Sequence, residues 1–415
     1  MKFPWLLLVK GAASVAAQKP LATSGSGQVL GTFNLEDIIN ASPLLSFHRD
    51  IVKIPSTTDN EYEVGQFIGD FLEQKHFTVE KQSISDSRFN VYAYQGNNSL
   101  PDILVTSHID TVPPFLPYNL DYPILGGGHE FDRQSVLIAG RGTVDAKGSV
   151  AAQIFAVLEI LEEKPDASIG LLFVVGEEKG GIGMETFSKN PSPSSFHTVI
   201  FGEPTGLNLV SGHKGVIGFN IKATGRAAHS GYPWLGKNAI SALLPVASFT
   251  ERLGEIPFQD GGLPSSLKYG NSTVNLGVIQ GGVAVNVVPD SAEAIFSVRV
   301  AAGTPDESKS IITREVNKFT KNDPNIEVAF YPGGLSPTDL DTDVEGFDII
   351  TVNYGTDVPK LAIHGGGDRV VKRYLYGPGS ILVAHGEDEA LTVGDLEGAV
   401  QGYRVLIEKA LSRDV

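Results

Sequence analysis

Four short β-branched runs in the first half of the chain, with helical periodicity between them, constrain the fold more than any other feature. They are Ile103-Leu104-Val105-Thr106, Val136-Leu137-Ile138-Ala139, Ile169 to Val175 and Thr198-Val199-Ile200-Phe201. Between the second and third, Lys147 to Glu163 places Val150, Ile154, Val157, Leu158 and Leu161 on one helical face. Strands that are apolar throughout need cover on both sides. The pattern therefore predicts an α/β domain with a mostly parallel sheet and helices on both faces. In such sheets ligands sit beyond the carboxyl ends of the strands.

From about Gly212 the period changes. Ile217, Phe219 and Ile221 alternate with polar or small residues, as do Ala294, Phe296, Val298 and Val300, which predicts half-buried antiparallel strands. Helical segments over Asn238 to Arg252 and Asp306 to Lys321 accompany them. Residues 213–332 thus read as an inserted α+β, ferredoxin-like domain. The main domain is expected in two parts, 35–212 and 333–415, closing with an amphipathic helix from Asp395 to about Leu411.

There is no cysteine, which excludes a disulfide framework, a thiolate nucleophile and any Cys-ligated zinc or iron–sulfur site. Any metal must then be held by His and carboxylates. A formal charge of −16, with no lysine- or arginine-rich block, argues against nucleic acid and against an anionic membrane surface. The expected partner is a small molecule or a peptide. No later stretch approaches the ~20 continuous apolar residues of a membrane span. Residues 1–17 have the order of a secretory signal: Lys2, an apolar centre from Pro4 to Val9 that Lys10 interrupts, and Val15-Ala16-Ala17 before Gln18. The other reading of this segment is a frayed tail. A secreted, extracellular protein is expected, and export is the setting in which the sequons at Asn40, Asn97 and Asn271 carry glycan.

Five segments place metal-binding or proton-moving side chains after an apolar run. They are "VTSHIDT" (His108, Asp110), "GRGTVDAKG" (Asp145), "VVGEEKGG" (Glu177, Glu178), "IFGEPTG" (Glu203) and "LVAHGEDE" (His385). Each has a bland reading. A lone His after a strand is ordinarily a satisfied core or surface histidine, Asp145 suits a turn, Glu203 a solvated loop, and the Glu177-Glu178 pair the cap of a following helix. Together they form a set that zinc accepts in the absence of cysteine, and a carboxylate shared between two ions makes a two-metal hydrolytic site. Other motifs fail. "GRGTVDAKGS" lacks the lysine spacing of a phosphate loop, and neither G-x-S-x-G nor H-E-x-x-H occurs.

With "SHIDTVP", "GRGTVDAKGSVAA", "GEEKGGIGM", "GEPT", "GRAAHSGYPWLGKNAI" and "AHGEDE" in this order from about Leu45 onward, the chain resembles a superfamily of dizinc hydrolases. Its members are acetylornithine deacetylase, succinyl-diaminopimelate desuccinylase, aminoacylase and glutamate carboxypeptidase, and the layout is similar to the secreted fungal carboxypeptidases among them. The resemblance implies two zinc ions (Zn2+) per subunit, bridged by Asp145. His108 and Glu203 complete one ion, Glu178 and His385 the other. Asp110 orients His108 from behind, and Glu177 is the general base. The insert becomes a lid that also mediates dimerisation, so a homodimer through it is expected. His229 matches a histidine that reaches the neighbouring subunit's site, Asn286 and Arg299 match positions that hold the substrate's carboxylate, and Gly379 matches a backbone contact beside the site. Ser297 stands where the family usually has an acid, and residues 333 to 375, including "HGGGDR", match poorly.

The function these implications predict is that of a secreted zinc-dependent carboxypeptidase, in which a metal-bridging water attacks an amide next to a free C-terminal carboxylate. The alternatives are deacylation of N-acyl amino acids and non-catalytic, metal-dependent peptide binding. Glu177 separates hydrolase from binder, because a binder needs no base.

Overall fold

A computed structural model describes residues 34–96, 99–123, 131–189, 196–362 and 370–413. The signal-like segment, Asn97 and the "HGGGDR" stretch lie outside the described residues. The main sheet has six strands in the order Phe77–Ser85, Arg88–Gln95, Ile169–Val174, Ile103–His108, Thr198–Gly202 and Lys372–Tyr376. The last four run parallel to one another, and the first two form an antiparallel hairpin that joins them through an antiparallel pairing of Arg88–Gln95 with Ile169–Val174. The architecture is thus mixed α/β.

The central strands are apolar on both faces because both are covered. Ile103, Val105, Leu171, Phe173 and Ile200 pack in one core with residues of helices Pro43–Lys53, Lys147–Glu163 and Val393–Leu411. Leu104, Leu172, Val174, Val199, Phe201 and Leu375 pack in another with Met184, Phe196 and Val358. Helix Lys147–Glu163 is buried almost all round over its first two turns, more than a single apolar stripe requires, because it lies between the sheet and the last helix. That last helix starts at Val393 and not at Asp395: Thr392 caps it, with Asp395 as the third residue of a capping box.

One expected strand of the main sheet lies elsewhere. Leu137–Ala139 forms a separate three-stranded antiparallel sheet with Asn119–Asp121 and Ala390–Thr392. The run pairs over three residues and ends at Gly140, whose φ of 136° turns the chain away. Likewise the apolar run before His385 forms turns, and Leu382 is exposed.

The insert is a four-stranded antiparallel sheet in the order Thr273–Gly281, Ser291–Val300, Gly215–Thr224 and Ile326–Phe330. Helices Ala239–Glu251 and Pro305–Phe319 cover one face, and Phe219 stacks on Phe296 at 4.8 Å between ring centroids within that core. The chain enters through Leu209–His213, which pairs with Thr338–Asp339 and Ile349–Val352 in a small sheet at the junction. Among the described residues no helix is long and apolar enough to cross a membrane.

Candidate metal centre

The parallel strands end level with one another: His108 is opposite Val174, and Tyr376 opposite Gly202. The chain leaving each strand therefore delivers its polar residues to one edge of the sheet. His108 ends its strand, Glu177 and Glu178 follow the turn after Val174, and Glu203 follows Gly202. Asp145 arrives from the side, on the loop between Leu137–Ala139 and helix Lys147–Glu163. His385 comes from the loop before Ala390–Thr392.

Asp145 lies between the two histidines. Its Oδ1 is 3.0 Å from His108 Nε2 and its Oδ2 is 3.3 Å from His385 Nε2. His108 Nε2 is also 4.0 Å from Glu203 Oε2, and His385 Nε2 is 3.0 Å from Glu178 Oε2. Ligand atoms of His108, Glu177 and Glu203 lie within 4.8 Å of one another, as do those of Asp145, Glu178 and His385. Around a tetrahedral ion with bonds of about 2.0–2.2 Å, ligand atoms stand roughly 3.3–3.6 Å apart. The donor types and spacings fit two such ions with Asp145 between them, and Glu177 at the edge of the first group.

Asp110 organises the cluster from beneath. Its Oδ1 accepts the backbone N–H of Glu177 at 3.0 Å, and its Oδ2 accepts that of Glu178 at 3.2 Å and the Thr58 hydroxyl at 2.8 Å. The expected bond from His108 to this carboxylate is longer, at 3.5 Å. His108 Nδ1 donates instead to the Asp110 carbonyl at 3.0 Å, because the carboxylate is turned toward the glutamate loop. Either acceptor leaves Nε2 facing Asp145.

Without cations the site is a crowd of mutually perturbing charges. Burial works to lower the His108 pKa, but the nearby carboxylates of Asp110 and Asp145 raise it well above its ordinary value. Hydrogen bonds to Asp145 and Glu178 raise His385 to about 10. Burial pushes Glu177 up, with the Asp357 and Glu178 charges adding to it, and burial does the same to Glu203. Asp145 is held below the usual carboxylate range, its two histidines outweighing its burial. Bound cations favour the ionised carboxylates and neutral imidazoles that the same residues need as ligands.

Around the cluster stand residues the sequence reading passed over. Glu389 and Arg141 form a buried ion pair of 2.6 Å, with Glu389 also accepting backbone N–H groups of the Asp145 loop. His48 Nε2 donates to the Thr143 carbonyl, and Lys147 Nζ donates to the carbonyls of Ile51 and Ile54. Tyr354 donates its hydroxyl to the Pro204 carbonyl, next to Glu203. Asp357 is buried beside Glu177 and the His108 strand. Only Glu389 carried a usable signal, as an acid four residues after His385 in "HGEDE".

Arg299 lies on the insert strand Ser291–Val300, on the face away from Phe296 and Val298. Among the described residues its guanidinium has no hydrogen bond or ion pair, although burial lowers its pKa and the Glu177 charge is close enough to oppose that. A Cβ on Gly355 would stand 3.6 Å from its Nη1. His229 and Asn286 are brought to each other in the insert: residues 229 and 287 form an antiparallel bridge, and Ser230 donates its N–H to the Asn286 carbonyl. Gly379 has φ of 71°, and a Cβ there would meet Val144 Cγ1 at 2.8 Å, so only glycine lets this loop approach the Asp145 loop. Asn40 and Asn271 are exposed.

Residues 90–208 match peptidase family M28, and residues 211–324 match the peptidase dimerisation domain. A probable carboxypeptidase of Aspergillus flavus is 59% identical over 410 residues, covering 95% of this chain and 94% of that protein. Among solved structures, a tripeptidase from Staphylococcus aureus superposes with a TM-score of 0.69 at 18% identity, over 91% of this chain and 100% of that one. An M20 family metallo-carboxypeptidase from Sulfolobus solfataricus does so with a TM-score of 0.65 at 17% identity, over 89% and 99%.

Proposed function

The chain belongs to the M20-type metallopeptidase superfamily of acetylornithine deacetylase, succinyl-diaminopimelate desuccinylase, aminoacylase and glutamate carboxypeptidase, and from that premise we propose that it is a carboxypeptidase using two zinc ions per subunit. The observation that carries the substrate side of this reading is Arg299. A partly buried guanidinium that has no partner among the described residues, on the face turned toward Glu177, suits a planar, bidentate anion such as a peptide's terminal carboxylate. The name of the Aspergillus flavus relative supports the same reading.

His108 and Glu203 are the residues to hold one ion, Glu178 and His385 the other, with Asp145 shared. When bound, the pair polarises the scissile carbonyl and brings the pKa of a bound water to about 7. Arg299 fixes the terminal carboxylate and so sets which amide lies at the cluster. The Glu177 carboxylate accepts no hydrogen bond among the described residues, which leaves it free to take the proton of the attacking water and give it to the departing amine. Asp110 keeps the Glu177 and Glu178 backbones in place during both transfers.

The match to a dimerisation domain and the edge strand Thr273–Gly281, with Val278 and Ile279 exposed, support a homodimer through the lid, in which His229 reaches the partner's site. Export with cleavage after residue 17 and glycan at the sequons completes the proposal; N-terminal sequencing and mass measurement of protein from culture medium test it. The activity is tested on the zinc-loaded protein with an unblocked peptide, its C-terminal amide and an N-acetyl amino acid. Release of the last residue from the first alone is expected. Acetate release from the third as the dominant activity would favour a deacylase, and no turnover of any with zinc bound would favour a binder.

A further inference from the structure

We infer that Glu389 and Arg141 form a buried clamp that sets the affinity of one ion site, that of Asp145, Glu178 and His385, more than the other. They are positioning residues, and the inference rests on the two-ion reading above. Both are nearly inaccessible, at 1% and 2% exposure. Glu389 Oε2 accepts from Arg141 Nη1 at 2.6 Å. Its Oε1 gathers three backbone N–H groups of one loop, from Gly142 at 2.9 Å, Val144 at 3.1 Å and Asp145 itself at 3.2 Å. The Asp145 loop is thus wound around one carboxylate oxygen. Arg141 carries the tie onward: its Nη2 donates to the His385 carbonyl at 3.3 Å and its Nε to the Pro114 carbonyl at 3.2 Å.

The two ligands joined in this way are the two that no strand of the main sheet carries. His108 ends a central strand and Glu203 follows one directly, so sheet hydrogen bonds hold their backbones. His385 sits in a turn, its side chain half exposed, with φ of 66°. A non-glycine residue keeps a left-handed backbone only where its surroundings enforce it, and the Arg141 bond to its carbonyl is such a restraint. The pairing of Ala390–Thr392 with Leu137–Ala139 brings the two loops side by side, and the Gly140 N–H bonds the Glu389 carbonyl at 3.0 Å. Loss of the clamp therefore loosens His385 and Asp145 together while His108, Glu203 and Asp110 stay in place.

The test is calorimetric titration of zinc into metal-free protein, wild type against Arg141→Lys, with cobalt absorption as a second reading of the coordination at each site. Lysine keeps a charge opposite Glu389 but cannot also reach the His385 and Pro114 carbonyls. Two binding events are expected for the wild type. In the variant one of them should weaken by about 10–100-fold, the usual effect of removing a group that orients a ligand, and the other, which shares only Asp145 with the clamp, should weaken by a clearly smaller factor. Glu389→Gln should give the same unequal loss, and the melting temperature and near-ultraviolet circular dichroism of each metal-free variant report whether it has folded. A wild type that binds a single ion would overturn the two-ion reading. A folded variant that keeps both affinities, or loses both alike, would overturn the clamp.

Discussion

Replacing Glu177 by glutamine separates the two adjacent glutamates most sharply. The amide fills the same volume, and the backbone N–H that Glu177 gives to Asp110 is untouched, so the loop keeps its course. Among the described residues the carboxylate accepts no hydrogen bond that the substitution would break, and a charge that burial, Asp357 and Glu178 disfavour is removed. The metal-free melting temperature should therefore hold or rise. What is lost is the proton acceptor. General base catalysis is worth roughly 10²–10⁴-fold, or about 2.7–5.4 kcal/mol on the barrier, and kcat should fall within that range. Glu178→Gln is the comparison: Glu178 lies 3.0 Å from His385 Nε2, so there zinc content should fall, and activity with it. Metal analysis beside single-turnover kinetics reads both. Equal zinc loss in the two variants would refute the division of roles and make Glu177 a ligand alongside His108 and Glu203, with which it also clusters.

Arg299→Ala should raise KM for peptides with a free C-terminal carboxylate by about 10–100-fold, as expected for a lost charged hydrogen bond of about 1.5–3 kcal/mol, without changing zinc content. An equal loss on C-terminal amides would refute it. Burial lowers the pKa of His48 from 6.5 to about 4. The unfolded chain thus takes up a proton below pH 6.5 that the folded chain refuses until about pH 4, and stability present above pH 6.5 should fall by on the order of 3 kcal/mol across that window. His48→Gln should flatten that part of the pH–Tm curve, and an unaltered slope would count against it. In metal-free protein at pH 7 His385 is protonated, its pKa being raised to about 10. Zinc binding should then release protons and raise Tm, as read by calorimetry in buffers of different ionisation enthalpy. Binding without proton release would contradict the assignment.

The parts of the fold that were legible in the sequence are those with a strong period. Strands buried on both faces, such as Ile103–His108 and Ile169–Val174, and the alternating strands of the insert announce themselves because burial writes directly into residue type. The short pairing of Leu137–Ala139 with Ala390–Thr392 has no such mark: three residues carry little period, and their partner is more than two hundred residues away in the chain. The same limit applies in the site. His108, Asp145, Glu178, Glu203 and His385 stand out as ligand types after apolar runs, whereas Arg141 looks like an ordinary polar residue, and Glu389 is marked only by its spacing from His385, until the loops are folded together.

Asp110 shows why two glutamates side by side are not redundant. One carboxylate takes both of their backbone N–H groups, Oδ1 from Glu177 and Oδ2 from Glu178, so the chain cannot slide or rotate at this point. With the backbone pinned in an irregular turn, successive side chains diverge. Glu178 goes to His385 and Asp145, and Glu177 goes to the side of His108 and Glu203. Had the pair continued the strand, one of them would have pointed into the apolar core behind the sheet, where an unpaired carboxylate is far too costly. The strand therefore has to end before the glutamates; it ends at Val174, and the left-handed Gly176, with φ of 75°, turns the chain away. Placing two acids with different work at one strand end depends on that glycine and on Asp110 as much as on the glutamates themselves.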